Sequence, residues 1–236
     1  MSRARLWVIA TIILAAIIFL PLRLAMGFVG LDTKALTARK ASGTIWSGRL
    51  EQARLGRLDL GSLDTSLQPL PLFLGRARFS VERASVGGPN PLTGYFDLGL
   101  GRRAIDQLNG TLGITGSSLG GLPIDSIKLD QFSVLFSDGQ CRAASGKVQL
   151  MLAVRIAGLD LRNGLSGEAR CEGRSLLLPL SGQSGMEKLT LTVDSDGQYR
   201  ARFGIAATDP VTAAALSAAG FSATAEGWYR DIRGQF

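Results

Sequence analysis

Beyond residue 48 apolar side chains recur at every second position in short runs closed by glycine, a texture that confines most of the chain to antiparallel sheet. The run from Arg76 to Glu82 alternates strictly, and those from Ile124 to Phe136 and from Met186 to Val193 nearly do so. Alternation of this kind gives each strand one buried and one wet face. The turns agree with it. Asp138-Gly139 and Asp196-Gly197 each separate two apolar runs, and Asn109-Gly110 and Asn163-Gly164 are further candidates. These dipeptides tolerate the positive φ of tight hairpin turns. Asn109-Gly-Thr is also a glycosylation sequon, but the turn is the stronger reading.

The stretch from Leu50 to Leu63 shows the same texture with spacings of two and three. Only one other element interrupts it late in the chain. Asp209 is placed to cap a helix, Pro210 to open it and Gly220 to end it, with a last strand from Phe221 to Tyr229. The expected fold class is all-β, mainly an antiparallel meander of about a dozen strands that must curl, stack as a sandwich or close to hide its edges. One N-terminal transmembrane helix and one short late helix complete it.

The membrane segment is read from Leu6 to Leu22, seventeen consecutive residues without a charge. As a helix they cover roughly 25 Å of a ~30 Å hydrocarbon core. Continuation to Met26 closes the gap if Arg23 snorkels to the headgroups. The run is longer than the core of a usual cleaved signal, and Leu-Arg-Leu-Ala-Met is a poor cleavage site, so an uncleaved anchor is favoured over a cleaved signal peptide. The expected organisation is a cytoplasmic tail over 1–5, a signal anchor over 6–26, a juxtamembrane linker with a short helix over 27–48, and a periplasmic β domain over 49–236. The linker helix is read from Asp32 to Lys40, with Gly43 just past its end. Arg3 and Arg5 precede the anchor while Arg23, Lys34, Arg39 and Lys40 follow it, so flanking charge does not set the orientation. Export rests on the ease with which large domains translocate, and on the cysteines.

Composition excludes most enzyme mechanisms. There is no histidine in 236 residues, hence no Ser-His-Asp triad, Cys-His pair or imidazole-ligated metal. Ser47 and Ser184 lie beside glycines without an assignable base, and no nucleotide-binding or nucleophile-elbow motif sits in a supporting context. Asp194 and Asp196 read as a solvated hairpin tip and not as a calcium loop. Tyr95, Tyr199 and Tyr229 read as cross-strand packing. The formal charge is +7, with basic residues scattered and not interleaved with aromatics, so nucleic acid is not an expected partner. No enzyme activity, cofactor or metal is expected.

Cys141 and Cys171 are the two cysteines. For an exported chain a disulfide between them is the favoured reading, and a pair of buried free thiols is the alternative. Two further segments stand out. Gly43, Trp46, Ser47 and Gly48 place an indole between close-set glycines where linker becomes sheet, as a structural motif. Ser66 to Gly75 carries Pro69 and Pro71 in an apolar run, which marks a kink, an edge or an exit from the sheet.

The anchor, the Gly-Thr-Ile-Trp-Ser-Gly-Arg-Leu segment, the Leu-Gln-Pro-Leu-Pro-Leu-Phe-Leu-Gly-Arg-Ala segment, the two cysteines and the Asp-Gly-x-Tyr hairpin at 196–199 together resemble the type II secretion system protein N family over almost the whole chain. The resemblance implies a non-enzymatic inner-membrane component of the machine that moves folded proteins from the periplasm across the outer membrane. It implies association with protein C and other platform subunits. Docking by sheet-edge pairing is the expected mode. The alternative of another class is a periplasmic β-groove carrier of lipid or glycolipid, of the AsmA-like type. The two differ in how much inward apolar surface is left unfilled.

Overall fold

The structure is a computed structural model that describes residues 7, 21–22, 36–55, 58–83, 91–114, 124–152, 164–207 and 209–235. Among these described residues sixteen antiparallel strands form one sheet, laid out almost in chain order. The chain begins with β1 (Leu36–Thr37), β2 (Lys40–Gly43), β3 (Gly48–Leu55) and β4 (Leu58–Gln68). Short helix α1 (Pro69–Leu72) leads to β5 (Arg76–Arg83), β6 (Leu92–Gly99), β7 (Arg102–Ile114), β8 (Ile124–Ser137) and β9 (Gln140–Leu152). Then come β10 (Leu165–Glu168), β11 (Arg170–Glu172), β12 (Ser175–Ser181), β13 (Glu187–Val193) and β14 (Gln198–Ile205). Helix α2 (Pro210–Ala218) precedes a closing hairpin of β15 (Ser222–Thr224) and β16 (Gly227–Gln235).

Alternation puts the core on one face. Leu178, Leu191, Ala201 and Ile232 stand opposite one another across β12, β13, β14 and β16, and all are buried. One position along, Thr190, Arg202 and Asp231 face the other way, where Arg202 pairs with Asp231 at 3.4 Å. The apolar rows join into a single core reaching from Leu22 to Ile232. Helix α2 closes one end of it. Asp209 accepts the Thr212 N–H at 2.8 Å, and that bond holds its carboxyl below the ordinary range. Leu216 is fully buried on the helix, and Phe221 beyond it meets Phe203 edge to face at 5.7 Å. Burying each such side chain contributes about 2 kcal/mol.

Two irregularities shape the sheet. The β5–β6 hairpin is a wedge, because β4 and β7 pair directly at Leu58 with Ile114 and Asp59 with Gly113 while β5 and β6 part them elsewhere. Bulges at Gln107 and Gln131, both at φ near +50°, then bend β7 and β8. Side chains take up the N–H groups these bulges free. Gln107 N–H donates to Ser133 Oγ at 2.9 Å and Gln131 N–H to Asn109 Oδ1 at 2.7 Å. The sheet curls strongly. Arg103 on β7 donates to the Ser195 carbonyl at 3.5 Å, although five strand spacings would put β7 and β13 about 24 Å apart in a flat sheet.

Several expectations change. Asn109-Gly110 is no turn: both residues lie inside β7, Gly110 at φ +136°, and Asn109 serves the bulge. Gly164 precedes β10 at φ +72°, while Asn163 is outside the described residues. Asp138-Gly139 does make a two-residue turn, both at positive φ, but the β13–β14 connection spans Asp194 to Gly197. The expected last strand is a hairpin. The linker helix is absent where the structure describes it, since Leu36–Thr37 and Lys40–Gly43 pair with β3. Its weak amphipathic pattern loses to β3, which offers open edge groups to the chain beside it. The anchor over 6–26 lies outside the described residues apart from Trp7, Pro21 and Leu22. Among the described residues no helix is long and apolar enough to cross a membrane.

Candidate functional site

One rim of the curled sheet gathers most of the residues singled out above. It carries the β2–β3 turn, helix α1 with the loop to Gly75, and the turns at Leu100–Gly101, Asp138–Gly139, Gly173–Arg174 and Asp194–Gly197. Neighbouring turns are tied by backbone bonds, Asp138 N–H to Gly101 O at 2.8 Å and Cys141 N–H to Arg174 O at 2.9 Å.

The Gly43–Gly48 motif forms the first of these turns. Gly43 and Gly48 face each other, and between them Thr44 N–H bonds Ser47 O at 3.1 Å and Ser47 N–H bonds Thr44 Oγ1 at 3.3 Å. Gly43 sits at φ +85°, where a side chain would be strained, and a Cβ there would overlap the Ser47 carbonyl. At Gly48 a Cβ would lie 2.6 Å from Leu22 Cδ2 and 2.9 Å from Thr44 O. Ile45 is buried and its carbonyl takes the Leu67 N–H at 2.9 Å; Trp46 is half-buried beside it, and Ser47 is exposed. Pro21 forms a bridge to Thr44. The motif thus clamps residues 21–22 against the start of β3. Gly48→Val is expected to cost about 1–3 kcal/mol in denaturant unfolding, and Ser47→Ala less than about 0.5 kcal/mol.

Cys141 on β9 and Cys171 on β11 are joined by a disulfide, with Cα atoms 5.5 Å apart. Asp194 accepts the Ser175 hydroxyl at the start of β12, and Asp196 accepts that of Ser195 in its own turn at 3.2 Å. Among the described residues no three Asp, Glu or Cys side chains converge as a metal site.

Sequence reasoning missed two features here. The first is what α1 does. Leu70, Phe73 and Leu74 are 78%, 88% and 69% exposed, and Leu100 on the neighbouring turn is fully so. The alternation stops where Pro69 and Pro71 enter, and that break was the available signal. Pro69 and Pro71 remove two backbone donors and force the sheet exit as a turn of helix, which Gly75 ends at φ +69°.

The second is a cationic floor beneath this finger. Arg78 contacts Asp106 at 2.6 Å and Asp97 at 3.6 Å and lies 4.5 Å over the Tyr95 ring. Asp97 is buried, and neither its Oδ1 nor the buried Nε of Arg102 has a hydrogen-bond partner among the described residues. Leu70, Pro71 and Leu74 wall a small cleft of about 160 Å³ over Arg76, Arg78 and Asp97. Beyond it, Arg102 and Asp106 border a second cleft of about 380 Å³. An apolar wall thus stands beside guanidinium groups, and at the border of the second cleft Ser133 donates its hydroxyl to Asp106 Oδ1 at 3.3 Å.

The family described as type II secretion system (T2SS), protein N, matches residues 34–230. No curated protein and no solved structure matches the chain.

Proposed function

The chain belongs to the type II secretion system protein N family, and from that premise we propose that it is a non-enzymatic inner-membrane subunit that docks other subunits of the secretion platform, protein C among them. The uncharged run that begins at Leu6 anchors it once in the inner membrane, and the sheet domain, whose rim takes up Pro21 and Leu22, stands in the periplasm. The disulfide between Cys141 and Cys171 supports an oxidising compartment for that domain.

The observation that carries docking is the free edge of β16. From Gly227 to Tyr229 this strand is flanked by β15, but from Asp231 to Gln235 its ladder is with β14 among the described residues. Five residues of ladder are enough for a partner strand to add to the sheet. Arg230, Asp231 and Arg233 keep the edge from pairing with copies of itself. The filled interior, where Phe203, Leu216 and Ile205 leave no exposed surface to speak of, favours docking over carriage of a lipid in the groove.

A photo-cross-linking residue in place of Arg233 in the full-length protein is expected to capture a secretion subunit in gentle detergent, with partners identified by mass spectrometry. The same group at Thr190, on the interior strand β13, is expected to capture none. Equal capture at both positions, or lipid without secretion subunits, would overturn the proposal.

A further inference from the structure

We infer that the finger from Leu70 to Leu74 enters an anionic phospholipid bilayer, with Arg76 and Arg102 taking the lipid phosphates at its base. The inference rests in part on the anchor reading above.

Three observations carry it. Leu70, Phe73 and Leu74 are large, apolar, adjacent and mostly exposed, an arrangement a water-facing loop does not keep without a partner. Arg76 lines the cleft directly beneath and Arg102 the one beyond it, which Arg76 also borders; neither makes an ion pair among the described residues, whereas Arg78 is committed to Asp97 and Asp106. Two uncommitted guanidinium groups under an apolar tip match a headgroup phosphate above acyl chains.

The third observation chooses the bilayer over another occupant. The uncharged run ends at Leu22, and Leu22 is buried against Gly48 while Pro21 bridges Thr44. Ile45, in the same turn, takes the Leu67 N–H, two residues before α1 begins. The end of the apolar run and the base of the finger are therefore neighbours on one rim, and a membrane that holds the run lies within reach of the finger. Half-buried Trp46 belongs to this turn as well, at the depth where interfacial Trp is favoured.

The test uses the full-length chain in vesicles of phosphatidylglycerol and phosphatidylcholine carrying bromine on the acyl chains. Phe73→Cys, with Cys141 and Cys171 tied to each other, offers one thiol for an environment-sensitive fluorophore. Ala214→Cys, exposed on α2 at the opposite end of β14, is the reference. The probe at 73 is expected to be quenched about threefold or more over the probe at 214, as its depth in the bilayer requires. Replacing Arg76 and Arg102 by Gln, or phosphatidylglycerol by phosphatidylcholine, is expected to shift the inserted-to-exposed ratio of the finger roughly tenfold toward water. A chain that floats with vesicles while the two probes quench alike sinks the inference and leaves the anchor standing. One that does not float overturns both, and a probe shielded only when a second protein is added reassigns the finger to protein docking. Leu74→Ser, at a site exposed enough to spare the fold, should weaken quenching at 73 and keep the circular dichroism of the parent.

Discussion

Arg83→Met is expected to lower the unfolding free energy by roughly 2–4 kcal/mol, the cost of removing the two charge-assisted hydrogen bonds by which one buried guanidinium ties β4 to β7. Arg83 ends β5 on the core face and is only 5% exposed. Its Nη1 donates to the Leu60 carbonyl of β4 at 2.9 Å, and its Nη2 to the Thr111 carbonyl of β7 at 2.5 Å. Those two strands close directly on each other just beyond, at Leu58 with Ile114. The guanidinium thus occupies the tip of the wedge, where the ladder between β4 and β5 has ended and the one between β4 and β7 has not begun. Burial pushes its pKa below the ordinary arginine value, and nearby Asp59 partly opposes this. It stays charged at every accessible pH, so the loss should be constant from about pH 5 to 9. Met keeps the apolar stem and removes both donors. Lys keeps the charge, but its single ammonium cannot reach two carbonyls set on different strands, so Arg83→Lys should lose about half as much. Urea unfolding of the three proteins reads this directly. A Met variant as stable as the parent, as some replaced buried ions are, would refute the bridging role.

How much of this was legible in the sequence depends on the scale of the force involved. The period-two runs from Arg76 to Glu82 and from Met186 to Val193 announced their strands, because alternation is imposed locally by the pleat. Asp138-Gly139 announced a turn, and Asp209, Pro210 and Gly220 bounded α2, since backbone sterics act within a few residues. Asn109-Gly110 misled for the same reason in reverse. Its local preference for positive φ was real, as Gly110 shows, but pairing with β6 and β8 used it for a bulge and not a turn. The helix expected at Asp32–Lys40 failed because β3 offers an edge that no local pattern encodes. Of the site, Gly43 and Gly48 were legible as a close approach, though not the residue approached, which is Leu22. Arg83 could not be read at all: an arginine at the end of an alternating run looks solvated until the wedge puts carbonyls around it. The finger was half legible, since Pro69 and Pro71 signal an exit from the sheet but not where four apolar residues then point.

Removing the disulfide is expected to cost about 3–4 kcal/mol, the denatured-state entropy regained when a loop of some thirty residues is opened. Cys141 and Cys171 are thirty positions apart, and the segment between them includes most of β9 and all of β10. The bond also has a local task that loop entropy does not capture. β10 pairs with β9 only from Lys147 to Leu150, and β11 is three residues long with its ladder on β12. Between the Gln140–Gly146 part of β9 and β11, the links are Cys141 N–H to Arg174 O, Ala169 N–H to Gly146 O, and the disulfide itself. Cutting the covalent link leaves two hydrogen bonds, each worth about 1 kcal/mol, at the Gln140–Gly146 end of the seam, beyond the ladder of β9 with β10. The Cys141→Ala/Cys171→Ala double variant should therefore show two changes at once. Its urea midpoint should fall by roughly 1–2 M, and the Cys-to-Ala backbone amide at 141 and that of Ala169 should exchange with solvent well before the amides of β13 and β14. A lowered midpoint with uniform exchange would keep the entropic contribution and discard the seam. An unchanged midpoint would discard both, and would leave the curl of the sheet to its bulges and core rows.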